Sequence, residues 1–395
     1  MRVAIIGQGY VGLPLAQALV AVGHAVHGID YNLKTVESLM RGISHVEDIS
    51  NDQVLELLDS KLYFPTSEFE AIKECEIVII CVPTPLGVNH LPDLTYLESA
   101  IDSIAEFLQV GVLIILESTS FPGTTREFVF NRISKMRGWT GQDFYCAFSP
   151  ERVDPLNKDW NLRNTPKLVS GINVASQEKA IEFYETFVDK VVSTQKIEIA
   201  EFAKLIENAY RLVNISFVNE MSKLASAVGL SIVDILDAAS TKPYGFQRFN
   251  PGLGAGGHCI PVDPVYLHKF AQDKNIELPI LKEAIKTNNR LPLYHATQIN
   301  NLLNGNLDPN RKVLLVGISY KPGVADLRES QSVSLLRELE KFGIDTYWED
   351  PLASNSPFGK KHDHRNVYDV VVLNHSFLST DRYQIQPKGH FYVVS

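Results

Sequence analysis

The sequence predicts an α/β chain built on doubly wound parallel sheet, with a long helix near its middle. Three observations predict it. Arg2 to Ile6 is a short β-branched run that stops at a glycine turn and passes into an amphipathic helical pattern. Further near-continuous apolar runs, Ile77 to Val82, Val112 to Glu117 and Phe144 to Phe148, alternate with helix-like stretches such as Leu94 to Leu108, the pattern of strands covered on both faces. From about Ile199 to Val228 there is neither proline nor glycine, and farther on a β-rich run over Lys312 to Ile318 closes on Gly317. A chain of 395 residues exceeds one ordinary core, so two or three domains are expected.

The first element is strand, glycine turn, helix. In Gly7-Gln8-Gly9-Tyr10-Val11-Gly12 the first glycine permits the tight turn, Gly9 lets a pyrophosphate approach the backbone, and Gly12 lets the helix from Val11 to about Val22 pack on the sheet. That helix start offers N–H donors to phosphate. A second strand, Ala25 to Ile29, ends in Asp30, at the distance where such folds place an acid on the ribose hydroxyls. An acid there repels a 2′-phosphate and favours NAD over NADP. A purely structural glycine turn is the alternative reading.

The later strands end in polar or proline-containing segments, Pro83-Thr84-Pro85, Ser118-Thr119-Ser120 and Ser149-Pro150-Glu151-Arg152. Ligands of doubly wound sheets bind at carboxyl strand ends, which makes Thr84, Thr119 and Glu151 candidates; loop and cap chemistry explains the same residues without a ligand.

The stretch Ile199 to Val228 is apolar on most sides, which predicts a buried helix, here in a subunit interface. Lys204 and Asn208 stand four residues apart and project from one face; in isolation such a pair is a solvated surface. The segment Asn250 to Pro264 holds four glycines within six residues, Gly252 to Gly257, and then Cys259. A backbone of that kind bends closely around a ligand. A cysteine is often a small buried hydrophobe, but flanking by Gly-Gly-His and a proline-bracketed Asp263 favours a nucleophile.

The net charge of −9 gives no overall basic surface for a phosphate backbone, which argues against nucleic acid as the main partner. Cys75, Cys81, Cys146 and Cys259 lie far apart without a C-x-x-C pair, so neither a zinc site nor a disulfide framework is indicated and a reducing compartment is expected. The apolar stretch at the start is too short for a signal peptide, and no later run reaches membrane-spanning length; a cytosolic protein is expected.

Seven motifs in order, Gly7 to Pro14 (GQGYVGLP), Val82 to Pro85 (VPTP), Ser118 to Thr125, Ser149 to Arg152 (SPER), Lys204 to Asn208 (KLIEN), Gly256 to Asp263 (GGHCIPVD) and Tyr320 to Ser330 (YKPGVADLRES), resemble the UDP-glucose/GDP-mannose dehydrogenase family over essentially the whole chain. The resemblance implies two Rossmann-like doubly wound domains joined by the long helix and a helical middle domain. Residues 1–198 are then the NAD-binding domain, 199–300 the central dimerisation domain with the cysteine loop, and 301–395 the nucleotide-sugar domain. It also implies a four-electron oxidation of a UDP-sugar C6 alcohol to the uronate with NAD, in a homodimer joined through the central helix.

By the same resemblance Cys259 captures the aldehyde as a thiohemiacetal that becomes a thioester. Lys204 and Asn208 donate hydrogen bonds to the C6 oxyanion, and Lys204 helps depress the thiol pKa from its free value of about 8.5. Asp263 works with Lys204 and a water in proton transfer, Glu151 supplies acid/base chemistry and activates the hydrolytic water, and Thr119 positions that water. Gly7, Gly9, Tyr10, Val11, Gly12, Asp30, Thr84, Thr119 and Arg328 are implied to bind cofactor. Glu151, Arg152, Lys204, Asn208, Arg248, Phe249, Asn250, Gly256 and Lys321 are implied to bind substrate, with Lys321 on the UDP part and Arg248 reaching the neighbouring subunit.

SPERVDP, the stretch Thr241 to Phe246 and His258 in GGHC are more similar to members acting on UDP-N-acetylhexosamines, UDP-N-acetylglucosamine first and UDP-N-acetylmannosamine next, than to UDP-glucose dehydrogenases. Two features depart from the pattern. Many such relatives carry proline where this chain has Arg248, and the chain ends at Ser395, soon after a strand-like Phe391 to Val394, so a trimmed third domain is expected. Rival readings are a two-electron β-hydroxyacid dehydrogenase, against which Cys259 and the third domain count, and a non-catalytic nucleotide-sugar sensor.

Overall fold

The computed structural model describes residues 1–394 other than 153, 155, 156, 158, 304–309, 364 and 375–389. Two compact units make up the chain, Met1–Ile206 and Glu207–Ser395.

The first unit is an α/β sandwich on one sheet. In chain order it contains β1 (Arg2–Ile6), α1 (Gly12–Ala21), β2 (Ala25–Ile29), α2 (Leu33–Met40), α3 (Asn51–Asp59), β3 (Tyr63–Thr66), β4 (Ile77–Ile80), α4 (Thr95–Ala105), β5 (Leu113–Leu116), α5 (Arg132–Arg137), β6 (Tyr145–Phe148), β7 (Lys167–Gly171), α6 (Val174–Tyr184) and β8 (Val191–Ser193). The eight strands lie in the order β3-β2-β1-β4-β5-β6-β7-β8. Its first six positions are the doubly wound dinucleotide order. Every pairing is parallel except β6 with β7. Successive residues feed opposite faces: Val3, Ile5, Ile77 and Ile79 enter one core, Ala4, Ile6, Val78 and Ile80 the other. Burial on both faces is why these strands read as unbroken apolar runs.

Helix α7 spans Ile197–Ala227. The second unit continues with α8 (Ile232–Ser240), α9 (Asp263–Asp273), α10 (Pro279–Leu303), β9 (Lys312–Val316), α11 (Gln331–Lys341), β10 (Asp345–Glu349), β11 (Lys360–Lys361), β12 (Val370–Asn374) and β13 (His390–Val394). Its five strands run β11-β10-β9-β12-β13, all parallel. This is the second Rossmann-like sheet, with α10 and α11 packed in one core against Val313, Leu315, Val370 and Val372.

Within the single chain, α7 is covered on one side only. Ile199, Phe202, Ile206, Tyr210, Phe217 and Leu224 are between 39% and 58% exposed, while Ala200, Leu205, Leu212, Val218 and Ala225 are buried. A helix apolar on most sides presents two stripes, and this chain's own packing covers one of them.

Candidate functional site

In the first unit, the β1–α1 corner is shaped by what its glycines meet. Gly7 has φ +95° and a Cβ there would come within 2.7 Å of the Cys81 carbonyl oxygen; a Cβ on Gly12 would reach 1.9 Å from the Gly7 oxygen. At Gly9 a Cβ would meet nothing within 4 Å. That open face adjoins the start of α1, whose N-cap Val11 offers no side-chain cap, whereas α2 and α3 are capped by Asn32 and Ser50. A helix start with no side-chain cap beside open space suits a pyrophosphate, so the corner fits a dinucleotide. Asp30 accepts the backbone N–H of Gln8 at 2.9 Å and of Asn32 at 2.8 Å, and the Tyr10 hydroxyl donates to Glu47 at 2.8 Å.

The strand-end segments lie where the topology puts them, at the carboxyl edge of the sheet. Thr84 is buried after β4, and Thr119 is half-buried after β5. Ser118, beside Thr119, donates to the Val82 carbonyl at 2.7 Å. Lys204 on α7 donates to the Glu151 carbonyl at 2.6 Å, so the structure brings these two residues together. Arg152 gives its backbone N–H to the Glu151 carboxylate at 2.7 Å and its guanidinium to the Pro166 carbonyl at 3.0 Å.

Sequence reasoning missed two buried carboxylates here. Glu117, at the end of β5, and Glu151 share the ammonium of Lys167. Glu201 on α7 accepts the N–H groups of Gly123 and Thr125 and the Thr125 hydroxyl, at 2.6, 2.8 and 2.6 Å. It thereby ties the segment that follows Thr119 to the helix that carries Lys204. Burial pushes the Glu201 carboxyl up to about 7 against the pull of those three donors. Glu three residues before Lys204 was the available signal, but such spacing also marks an ordinary helix surface pair.

In the second unit, Asn208 gives its side-chain amide to the carboxylate of Asp263, the first residue of α9. Both are buried, at 5% and 0% exposure. Cys259 lies one turn ahead of α9, its carbonyl accepting the Asp263 N–H at 2.9 Å, and it is exposed. The other thiols are not comparable: burial pushes Cys75 up to about 12 and raises Cys81 and Cys146 as well.

The loop before Cys259 is clamped from two sides. Asn288 on α10 exchanges hydrogen bonds with both backbone groups of Ala255, at 2.7 and 3.1 Å, and Gly257 donates to the Arg328 carbonyl at 3.2 Å. A Cβ on Gly256 would come within 2.9 Å of the Glu329 oxygen, and one on Gly257, φ +84°, within 2.8 Å of the Tyr320 ring. On the side a Cβ would occupy, these two glycines admit the protein's own chain. His258 is held neutral, pushed down to about 4 by burial and by the positive charge of Arg328.

Arg328 itself forks onto Asp326, at 2.7 to 3.0 Å. Lys321 is half-buried just past β9. Arg248 pairs with Asp237 and, at 3.0 Å, with Asn250, in a segment where residues 241–248 and Asn250 are exposed and Phe249 is half-buried against Tyr210. Asp350, unremarked in the sequence, ends β10 as Asp30 ends β2. It accepts the Ile318 N–H at 3.0 Å and the Ser319 N–H at 3.1 Å just past Gly317. Among the described residues, no three His, Cys, Asp or Glu side chains gather as a metal-ligand set, and no helix is long and apolar enough to cross a membrane.

Comparison with known proteins matches all of these segments to one family. Residues 1–188 match the NAD binding domain of the UDP-glucose/GDP-mannose dehydrogenase family, 198–290 its central domain, and 314–379 its UDP binding domain. The chain is 35% identical to UDP-N-acetyl-D-glucosamine 6-dehydrogenase of Salmonella typhi, over 89% of this chain and 82% of that protein. It is 33% identical to UDP-N-acetyl-D-mannosamine dehydrogenase of Pyrococcus horikoshii, over 85% and 80%. The solved structure of UDP-D-ManNAc dehydrogenase from Pyrococcus horikoshii superposes with a TM-score of 0.88 at 28% identity, covering 100% of this chain and 99% of that one.

Proposed function

Because the chain belongs to the UDP-glucose/GDP-mannose dehydrogenase family, whose members are NAD-dependent oxidoreductases, we propose that it oxidises the C6 alcohol of a UDP-N-acetylhexosamine to the carboxylate in two two-electron steps. UDP-N-acetylglucosamine is the first choice of substrate and UDP-N-acetylmannosamine the second. The observation that carries this reading is an exposed Cys259 one turn ahead of Asp263, whose carboxylate fixes Asn208.

NAD would supply the hydride acceptor for both oxidations; Gly7, Gly9, Tyr10, Val11, Gly12, Asp30 and Thr84 would hold it, and Arg328 is assigned to the cofactor by the family resemblance. Between the oxidations the Cys259 sulfur bonds to the aldehyde carbon, giving a thiohemiacetal. Loss of the second hydride makes this a thioester, and water then cleaves the carbon–sulfur bond to release the uronate and the thiolate. Lys204 and Asn208 donate to the C6 oxyanion, a task that needs donors fixed before charge develops. The bond to Asp263 supports that role for Asn208, since it orients an amide that has two N–H groups. Glu151 serves as acid and base, with Thr119 placing the hydrolytic water. Arg152, Phe249, Asn250, Gly256 and Lys321 hold the substrate.

Three domains, 1–198, 199–300 and 301–395, are the division we propose. The exposed apolar stripe of α7 and the exposed segment around Arg248 support a homodimer in which α7 pairs with its copy. Four free cysteines support a reducing, cytoplasmic setting.

The test is to count NADH formed per sugar consumed over UDP-glucose, UDP-N-acetylglucosamine, UDP-N-acetylmannosamine and GDP-mannose. A ratio near two on an acetylated UDP-sugar supports the proposal. A ratio near one overturns the thioester route and leaves a two-electron dehydrogenase.

A further inference from the structure

The first unit contains a buried ionic cluster of which the proposed chemistry uses only Glu151. Lys167 is 3% exposed, and its ammonium lies 3.1 Å from Glu117 and 3.3 Å from Glu151. It reaches them because the β6–β7 pairing is antiparallel: reversal next to β6 carries the first residue of β7 to the carboxyl edge, where β5 leads to Glu117 and β6 to Glu151. Glu117 is wholly buried and takes the Tyr184 hydroxyl on its other oxygen.

Two carboxylates therefore share one ammonium, and they differ in one respect. The Glu117 side chain has no access to solvent, whereas that of Glu151 is 17% exposed and is the cluster's outlet. A Lys167–Glu117 pair would be complete as a buried ion pair, and such a pair is weak evidence for stability in itself. Glu151's two oxygens are held from different sides, one by Lys167 and the other by the Arg152 N–H, while Lys204 binds its carbonyl. Tyr184 on α6 and Cys81 after β4 also border these groups.

We propose that Lys167 is the positioning residue that keeps Glu151 ionised and oriented as a base, with Glu117 and Tyr184 as the buried anchor that keeps Lys167 charged. This rests on the reading of Glu151 as the acid/base group. The charge balance agrees with it. Burial disfavours the charged form of Lys167, yet the two carboxylates outweigh that and raise its pKa; burial also raises that of Glu117.

The experiment is the pH profile of single-turnover uronate release with NAD and UDP-N-acetylglucosamine, together with thermal unfolding of each variant. An adjacent ammonium favours an ionised carboxylate, so Lys167→Met moves the acid limb upward by about one to three pH units. Lys167→Arg retains the wild-type limb. Glu117→Gln removes a like charge and moves the limb downward. Lys167→Met combined with Glu117→Gln deletes the pair together, which avoids a lone buried carboxylate; its acid limb lies about one to three pH units above that of Glu117→Gln alone. A folded double variant whose acid limb coincides with that of Glu117→Gln overturns the proposal and makes Lys167 structural only. An acid limb that survives Glu151→Gln unchanged overturns the assignment of Glu151 instead, and the role of Lys167 falls with it.

Discussion

Asn208 gives its side-chain amide to the buried carboxylate of Asp263, so the helix carrying one proposed oxyanion donor is locked to the first turn of the helix that follows Cys259. Asn208→Asp sets two carboxylates against each other without solvent. Breaking a buried charged pairing of this kind costs about 3–5 kcal/mol. The exchange variant, Asn208→Asp with Asp263→Asn, restores one donor and one acceptor and is expected to recover most of the melting temperature. It places an anion where an oxyanion must form, so kcat stays down by about 10²–10³-fold. Recovery of turnover along with stability would refute an electrostatic role for Asn208.

Cys259→Ser tests the covalent step alone. The side chain is exposed, so unfolding stability should stay within about 0.5 kcal/mol of wild type. NAD binding, followed by fluorescence titration, should be unaltered, while uronate formation falls by roughly three orders of magnitude or more. Unchanged uronate yield would sink the thioester mechanism.

The glycine corner separates binding from folding. Gly9→Ala meets open space and should leave the melting temperature unchanged while weakening NAD binding by about tenfold or more, since a methyl group then stands where phosphate approaches. Gly12→Ala drives a Cβ to 1.9 Å from the Gly7 oxygen and should destabilise the unit by about 1–3 kcal/mol before any ligand is added. Calorimetry on both variants decides; a Gly9→Ala protein with full NAD affinity would place the pyrophosphate elsewhere.

Glu201 gives a pH dependence with a defined sign. Burial raises its carboxyl from 4.5 to about 7, so the folded state holds the proton more tightly than the unfolded chain does. Stability from this group is intact below about 4.5, falls as pH rises, and is lost above about 7, a change of about 3 kcal/mol. Glu201→Gln should remove that slope from the melting temperature measured between pH 5 and 8. It should also carry a pH-independent cost of about 1–3 kcal/mol, because the backbone N–H groups of Gly123 and Thr125 lose a carboxylate acceptor. A variant with the wild-type slope would assign the slope to another group.

The α7 stripe predicts assembly. Phe217 is 57% exposed in the chain, so Phe217→Glu should cost the folded subunit less than about 0.5 kcal/mol. If the proposed dimer forms through this stripe, sedimentation should show a dimer for the wild-type chain and a monomer for the variant. A dimer that survives Phe217→Glu together with Leu224→Glu would move the interface off this stripe.

Much of the architecture was legible because buried parallel strands have an unmistakable composition. Arg2–Ile6 and Ala25–Ile29 were read with their observed bounds, and Ile199 to Val228 lies within two residues of α7. The reversal of β7 was not legible, since Lys167–Gly171 carries the same apolar pattern in either direction. With it went Lys167, which reads as a charged flank of a strand. Its partner Glu117 is 50 residues away, and no local spacing connects them. Strand β11 consists of two lysines, which carry no strand signature at all. At α7 the period was right, but an apolar residue records only that something covers it, not whether the cover is this chain or another. The same holds for the loop glycines. Gly257 was visible as a close approach, and the approaching group, Tyr320, was not.

The contrast among the four thiols also sets the chemical vulnerability of the molecule. Oxidants and alkylating reagents act on accessible thiolate, and Cys259 alone among the four is exposed while burial raises the pKa of the other three, so Cys259 is expected to react first. One equivalent of iodoacetamide should count active subunits in a preparation, and peroxide should silence the protein without unfolding it. A cell under oxidative stress would therefore lose flux through this step at an address that a thiol reductant can restore while oxidation has gone no further than sulfenic acid.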